Sequence, residues 1–172
     1  KSVPCFDPEL GPGALGYADD TLFGLQLMEA GYEIKYADGA VVVHHPDKSR
    51  LTRGAWLDAA CQRARSNAYL LHHWKHAKIK FLWIRSLWLL MKLNLRRILR
   101  PPPPLDSEGC PYWEWSYVYD LAFYRQYRIE RTRPRNYARH GLKKLNMPQQ
   151  ATRLPLPKPR ASGGGDIPVY EG

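Results

Sequence analysis

Asp19 and Asp20 stand side by side just ahead of an apolar helical pattern, and His44 closes the apolar run Val41-Val42-Val43. The unpaired N–H groups and dipole at a helix start favour a carboxylate and keep it ionised. An ionised carboxylate on a rigid edge can take a proton from a substrate hydroxyl. Asp20 is equally read as a plain N-cap, the usual role of Asp before an apolar helix. His44 is placed at a strand end, where α/β proteins gather ligands beside a sheet crevice, and imidazole can hold a divalent ion. A lone His after three Val is also a common structural or surface residue. His72 and His76 lie one helical turn apart, with His73 between them. That spacing suits a metal, but the Glu of a His-Glu-x-x-His site is absent. A polar helix end with Trp74 packed inward is the expected reading, without a metal.

The elements that must position these residues follow from periodicity. Residues 1–19 read as a Gly- and Pro-rich loop. A helix is expected over about 20–30, with apolar Leu22, Phe23, Leu25, Leu27 and Met28, and Gly31 as its C′ residue. Tyr32 to Ala37 reads as a strand, Asp38-Gly39 as a hairpin turn, and Ala40 to Val43 as a short buried strand. Helices are expected from Gly54 to Ala77, from Ile79 to Leu99, and from Tyr112 to about Thr132. Pro101 to Pro104 stops the second of these and makes a stiff spacer. From Pro148 onward Pro, Gly and Lys/Arg dominate, which predicts a disordered tail. No internal repeat is visible.

The chain of 172 residues is long enough for one domain with a real core. Cys5, Cys61 and Cys110 are odd in number and far apart, and no CxxC pair exists. Zinc-ribbon and disulfide-framework classes are therefore disfavoured, and a reducing compartment fits. No secretory pattern follows Lys1, and the absent Met suggests a piece of a longer chain. The formal charge of +10 is local. Residues 1–77 hold 8 Lys/Arg against 9 Asp/Glu, whereas residues 78–145 hold 15 against 5. The first part reads as a near-neutral folded unit and the second as a surface that faces something anionic.

The motifs Phe6-Asp7-Pro8-Glu9-Leu10-Gly11, Asp19-Asp20, Ala30-Gly31-Tyr32 and Ala40-x-Val42-x-His44 occur in a set order. That order resembles the acceptor-side half of a family 2 glycosyltransferase, over about residues 1–75. The resemblance implies an α/β fold: a partial GT-A, Rossmann-like domain lacking its N-terminal nucleotide-binding half, followed by a mostly α-helical extension. It divides the chain into a transferase part (1–77), a basic aromatic extension (78–147) and the tail (148–172). It implies an inverting sugar transfer from a nucleotide sugar to a glycan or lipid-linked acceptor. Asp20 would be the base, Asp19 would orient the acceptor, and His44 would help hold Mg²⁺ or Mn²⁺ at the leaving diphosphate. The donor-binding half would be a required partner, so the chain alone is expected to be inactive. Pro4 stands where the family often has Gly. Processive members carry Gln-x-x-Arg-Trp; here Gln62-Arg63-Ala64-Arg65-Ser66 keeps Gln and Arg without the Trp, which favours a non-processive enzyme.

Residues 78–100 combine Lys78, Arg85, Lys92, Arg96 and Arg100 on one side with Trp83, Trp88 and many Leu on others. The longest charge-free run, Ser86 to Met91, is far too short to span a bilayer. Such a helix suits the surface of an anionic membrane, or equally a helix packed on the core with a solvated basic edge. Lys78, Trp83, Arg85, Trp88, Lys92 and Arg96 are the candidate lipid contacts, and the expected place is the cytoplasmic membrane face. The aromatic stretch from Tyr112 to Tyr127, followed by Arg125 to Arg139, could stack on bases or sugars. Core packing is its commoner explanation, and no nucleic-acid signature accompanies it. The chief alternative to a transferase is a non-catalytic, basic amphipathic membrane scaffold; RNA binding is a weaker third.

Overall fold

The computed structural model describes residues 5–45 and 47–145. The tail from Pro148 lies outside the described residues. Four α-helices carry the fold: α1 (Asp19–Glu29), α2 (Arg53–His73), α3 (Leu82–Leu99) and α4 (Tyr112–Glu130), with a 3-10 turn at Lys48–Leu51 before α2.

The expected α/β architecture is not what forms. No strand or sheet occurs among the described residues, so there is no Rossmann-like GT-A domain here. Thr52–Glu108 and Tyr137–Lys144 are isolated bridges. The expected strands, 32–37 and 40–43, form no ladder and take no regular secondary structure. Ala40 N–H donates to Ala37 C=O at 3.0 Å, so the turn at Asp38-Gly39 does close. Its two arms do not pair, and Ile34, Tyr36, Val41, Val42 and Val43 are exposed. The physical reason is that β propensity measures fit to a neighbouring strand and a buried face. A lone hairpin with neither is marginal in water.

Periodicity placed the helices well. α1 begins one residue earlier than expected and ends in a Schellman motif. Gly31 adopts φ 80°, its N–H donates to Met28 C=O (2.9 Å), and Tyr32 N–H donates to Leu27 C=O (3.0 Å). The Thr52 hydroxyl caps α2 by accepting from Ala55 N–H. α2 stops at His73 rather than Ala77, and α3 starts at Leu82 rather than Ile79, because Phe81 takes a left-handed φ of 57°. α4 ends two residues early, at Glu130.

α2 and α4 pack along one another and form the body of the molecule. Ala60, Ala64 and Ala68 recur every fourth residue on α2, so they share a face, and all three are fully buried. Ala68 packs with Tyr127 of α4 and Leu82 of α3. Small side chains on that face let α4 approach closely. On α4, Trp115, Tyr119, Phe123 and Tyr127 also recur every fourth residue and stack at centroid distances of 5.3, 6.3 and 6.3 Å. Asn67 donates to the Tyr119 hydroxyl (2.6 Å), and the Tyr127 hydroxyl donates to Ala77 C=O (2.7 Å). A second cluster, of Leu10, Leu22, Tyr69, Leu70, Trp74 and Tyr137, joins α1 to α2 and to the segment after α4.

Glu114 ties the helices together. Its carboxylate is fully buried and accepts from Arg53 of α2 (2.7 and 2.6 Å) and from Arg97 of α3 (2.9 and 2.7 Å). Arg53 also donates to Pro103 C=O (2.8 Å), which anchors the proline spacer.

Candidate functional site: a cleft at the start of α1

Residues 7–18 wind into a tight loop against the start of α1. Leu10 N–H donates to Asp7 C=O (3.0 Å), and Gly16 N–H donates to Gly11 C=O (2.8 Å). Gly11 and Gly16 have φ of 82° and 104°. A Cβ on Gly11 would stand 2.9 Å from the Asp19 carboxylate, and one on Gly16 would stand 2.6 Å from Gln62 Oε1. Only glycine gives both the left-handed backbone and this close approach. The loop therefore presses on one acid of α1 and one amide of α2.

Two cavities open at this junction. The first, about 680 Å³, is lined by Asp19, Asp20, Gly16, Tyr17, Arg50, Gln62 and Arg65 among others. The second, about 460 Å³, takes in Tyr17, His44, Arg50, Trp56, Asp58, Gln62, Arg63 and Trp115. Tyr17, Arg50 and Gln62 line both, so the two cavities are neighbours. The structure thus gathers Asp19, Asp20, Gln62 and Arg65 around one cavity and brings His44 to the edge of the next. Tyr17, Arg50, Trp56 and Trp115 were not singled out for this cleft. Only their juxtaposition in space marks them.

Asp20 is not the N-cap. That position belongs to Ala18, at φ 70° and with no side-chain cap, so Asp19 and Asp20 are the first two helical residues. Both meet the positive end of the helix. Asp19 is partly buried beneath the loop and Asp20 is exposed. Asp20 Oδ1 accepts from Thr21 N–H (2.6 Å) and Thr21 Oγ1 (3.2 Å). Oδ2 has no partner among the described residues. A hydrogen-bonded carboxylate lining a cavity is suited to accept a proton from a bound hydroxyl. In the same cavity Arg50 and Arg65 supply cationic donors and Tyr17 a flat face, and Trp56 and Trp115 supply such faces in the neighbouring one. The Arg63 guanidinium lies 5.3 Å from the centre of the Tyr17 ring.

His44 is exposed, in a segment without regular secondary structure. Among the described residues no three His, Cys, Asp or Glu side chains gather as a metal site. Asp58 and Gln62 line the same cavity as His44, and Asp19 and Asp20 line the neighbouring one. The helix-end histidines are structural. Asn136 N–H donates to His73 Nδ1 (3.0 Å), so the proton sits on Nε2 and is donated to Glu130 (2.9 Å). His72 and His76 meet the carbonyls of Arg133 and Tyr137.

Below the cleft lies a buried polar cluster built on Asp7 and Glu9 of the quoted Phe6–Gly11 motif, whose distant partners the sequence did not mark. Asp7 Oδ2 accepts from the Tyr69 hydroxyl (2.6 Å) and the Tyr137 hydroxyl (2.7 Å). Asp7 Oδ1 accepts from Lys144 Nζ (2.7 Å) and Glu9 N–H (3.0 Å). Glu9 in turn accepts from Lys144, Arg133 and Asn136. Burial works against ionising Asp7, but the donors from Lys144, Tyr69, Glu9 N–H and Tyr137 outweigh it and hold the carboxyl below its usual range. The same burial and the same Asp7 push both phenols far up, so they stay protonated donors. This cluster fixes the segment after α4 onto the loop that shapes the cleft.

The candidate lipid contacts lie at α3. Trp83, Arg85, Trp88 and Lys92 are exposed, Arg96 is partly buried, and Lys78 is exposed just ahead of the helix. Leu82, Leu89 and Leu93 face inward. Ile84, Leu87, Met91, Leu95 and Ile98, spaced three and four apart, are exposed on the opposite side. No helix among the described residues is long and apolar enough to cross a membrane.

No family model matches the chain, and no curated protein or solved structure matches it either. The likeness to a family 2 glycosyltransferase therefore rests on the quoted motifs alone.

Proposed function

We propose that the cleft at the start of α1 activates a sugar acceptor for glycosyl transfer, with Asp20 as the base. The observation that carries the reading is the convergence of Asp19, Asp20, Gln62 and Arg65 on one cavity beside that of His44. The acceptor is a glycan or a lipid-linked sugar, and the donor is a nucleotide sugar. The acceptor hydroxyl gives its proton to Asp20 Oδ2 while its oxygen bonds to the anomeric carbon. The nucleoside diphosphate departs with the electrons of the broken C–O bond. Asp19 and Gln62 orient the acceptor, the aromatic faces of Tyr17 and Trp56 hold sugar rings, and Arg50 and Arg65 offset negative charge. A Mg²⁺ or Mn²⁺ held with help from His44 would offset charge on the leaving diphosphate. The test is transfer of labelled sugar from UDP-, GDP- and dTDP-linked donors to acceptors in membranes containing the whole gene product. Asp20→Asn lowers transfer by about 10²-fold or more, the scale of a lost general base. Undiminished transfer by Asp20→Asn overturns the reading.

A second reading, compatible with the first, is carried by α3: the helix docks the protein on an anionic membrane surface. Its outward face is apolar and exposed, with Ile98 at 76% and Met91 at 62%. No Asp or Glu occurs between Asp58 and Asp106. An exposed apolar face beside uncompensated cations suits the boundary between headgroups and acyl chains. Co-sedimentation with phosphatidylglycerol-containing vesicles, but not with pure phosphatidylcholine, is the expected result. Equal binding to both, or to neither, overturns it.

A further inference from the structure

The flank of α3 that meets α4 holds a cavity of about 350 Å³, lined by Lys92, Leu95, Arg96, Leu99, Arg100 and Tyr117. Lys92, Arg96 and Arg100 are spaced by four, so their side chains rise along one side of the helix on successive turns. Leu95 and Leu99 each lie one residue before a cation, towards the exposed apolar face. The cavity is thus basic on one side and apolar on the other.

The cations are not spent on protein carboxylates. None of Lys92, Arg96 and Arg100 forms an ion pair among the described residues. Glu114, the acid of α4 in the helix-linking triad, is already shared by Arg53 and Arg97. Lys92 Nζ instead lies 3.4 Å over the Trp88 ring, and the Arg96 guanidinium lies 5.1 Å from the centre of Trp113. These aromatic contacts hold the cations without neutralising them. Three poised donors that need an anion border an apolar groove continuous with the face that would enter the membrane.

We infer that this groove seats the phosphodiester headgroup of an anionic phospholipid; the inference rests on the membrane-docking reading of α3. Arg96 and Arg100 donate to the phosphate oxygens and Lys92 adds a point charge. The first acyl carbons lie on Leu95 and Leu99, and the Tyr117 ring sits at headgroup level. A free phosphate would use the cations and leave the leucines wet, so the apolar lining favours a lipid over an inorganic anion. The seat adds to general surface attraction a site with a fixed stoichiometry.

The test uses the full chain and two charge-matched pairs. Lys92→Gln with Arg100→Gln alters two exposed residues of the groove. Lys78→Gln with Arg85→Gln removes the same charges outside it. On vesicles containing about one third phosphatidylglycerol, the control pair weakens binding by roughly 30-fold, as two surface charges of about 1 kcal/mol each do. The groove pair weakens it at least tenfold further, with unchanged circular dichroism. Equal losses overturn the seat and leave the docking reading standing; failure of the native chain to bind the vesicles overturns both. In a second arm, dioctanoyl-phosphatidylglycerol below its micellar concentration is titrated against tryptophan fluorescence and saturates, whereas inorganic phosphate has no effect. Equal binding of phosphate overturns the assignment to a lipid.

Discussion

α3 and α4 are both aromatic and of similar length, but α3 carries four cations and no acid whereas α4 carries two Arg and three acids, and the fold uses them in opposite ways. α4 turns its aromatic ladder onto α2 and sends Glu114 and Glu130 into the interior, each against cationic or imidazole partners. α3 buries only Leu82, Leu89 and Leu93 and keeps Trp83, Trp88, Met91 and Ile98 outside. The difference lies in what each helix can satisfy within the protein. α4 carries acids that meet arginines from two other helices, so desolvating it is compensated. α3 carries cations and no acid, so its one anchored charge, Arg97, borrows the carboxylate of α4. A helix with no internal partners for its charges and a wide apolar face is suited to an external surface.

Breaking the joint between the two helices has the largest expected effect. Glu114→Ala leaves Arg53 buried beside Arg97 with no counter-charge, and destabilises the fold by about 3–5 kcal/mol. Arg97→Ala costs only about 1 kcal/mol, because Arg97 is partly solvent-screened and Glu114 retains Arg53. Urea denaturation of both variants measures the ratio. Equal costs would mean that Glu114 serves α3 rather than the α2–α4 body.

Acid should separate the same two regions. Burial opposes ionisation of Asp7, Glu9, Glu114 and Glu130, yet hydrogen bonds from their basic and hydroxyl partners win and hold all four below their ordinary values. A carboxylate lowered in the folded state contributes stability that is complete above its unfolded value, and that stability is lost as pH falls through the folded one. The loss therefore begins near pH 5 and deepens below about pH 4. His72 adds to it from slightly higher pH, because burial lowers its imidazole and the unfolded state takes the proton first. Asp120 acts oppositely, since burial alone raises it. α3 holds no carboxylate and so contributes nothing to this loss. Thermal melts between pH 7 and pH 3 should fall steeply; a flat profile would refute these buried carboxylates as a source of stability.

The helices were legible because their apolar spacing and local stop signals suffice to place them. Gly31 ends α1 by its own conformational freedom, and Thr52 caps α2 with its own hydroxyl. Residues 32–43 misled for the opposite reason. Val41, Val42 and Val43 carry β propensity, but a strand exists only through a neighbour. The Asp7–Lys144 contact spans 137 positions; Asp7 stood in a quoted motif, but nothing in the sequence paired it with Lys144, and only the folded chain brings them together. The cleft lies between these cases. Asp19, Asp20 and His44 stood out by type and order, whereas Arg50 and Trp56 look like ordinary surface residues until α2 and the Gly11–Gly16 loop face each other.

A smaller effect sharpens the contrast on the buried side. Tyr127→Phe removes the hydroxyl that donates to Ala77 C=O and leaves that carbonyl short of a partner. The expected cost is about 1–2 kcal/mol. An equivalent loss is not expected anywhere on the outer face of α3, since no hydrogen bond of the fold begins there.

The smallest effect on stability belongs to that outer face, and it comes with the clearest effect on docking. Leu87→Gln with Met91→Gln replaces two exposed apolar side chains by neutral polar ones. Folding stability should change by no more than about 0.5 kcal/mol, because neither side chain is buried against the protein. Vesicle binding should fall by roughly 10- to 100-fold for each residue, the loss of about 1.5–3 kcal/mol of apolar insertion. The neutral replacements leave the basic flank intact, so the experiment isolates the apolar contribution from the electrostatic one. A drop in stability larger than about 1 kcal/mol would show that this face is covered by another part of the same protein. The contrast between α3 and α4 would then be one of degree, with both helices belonging to the core.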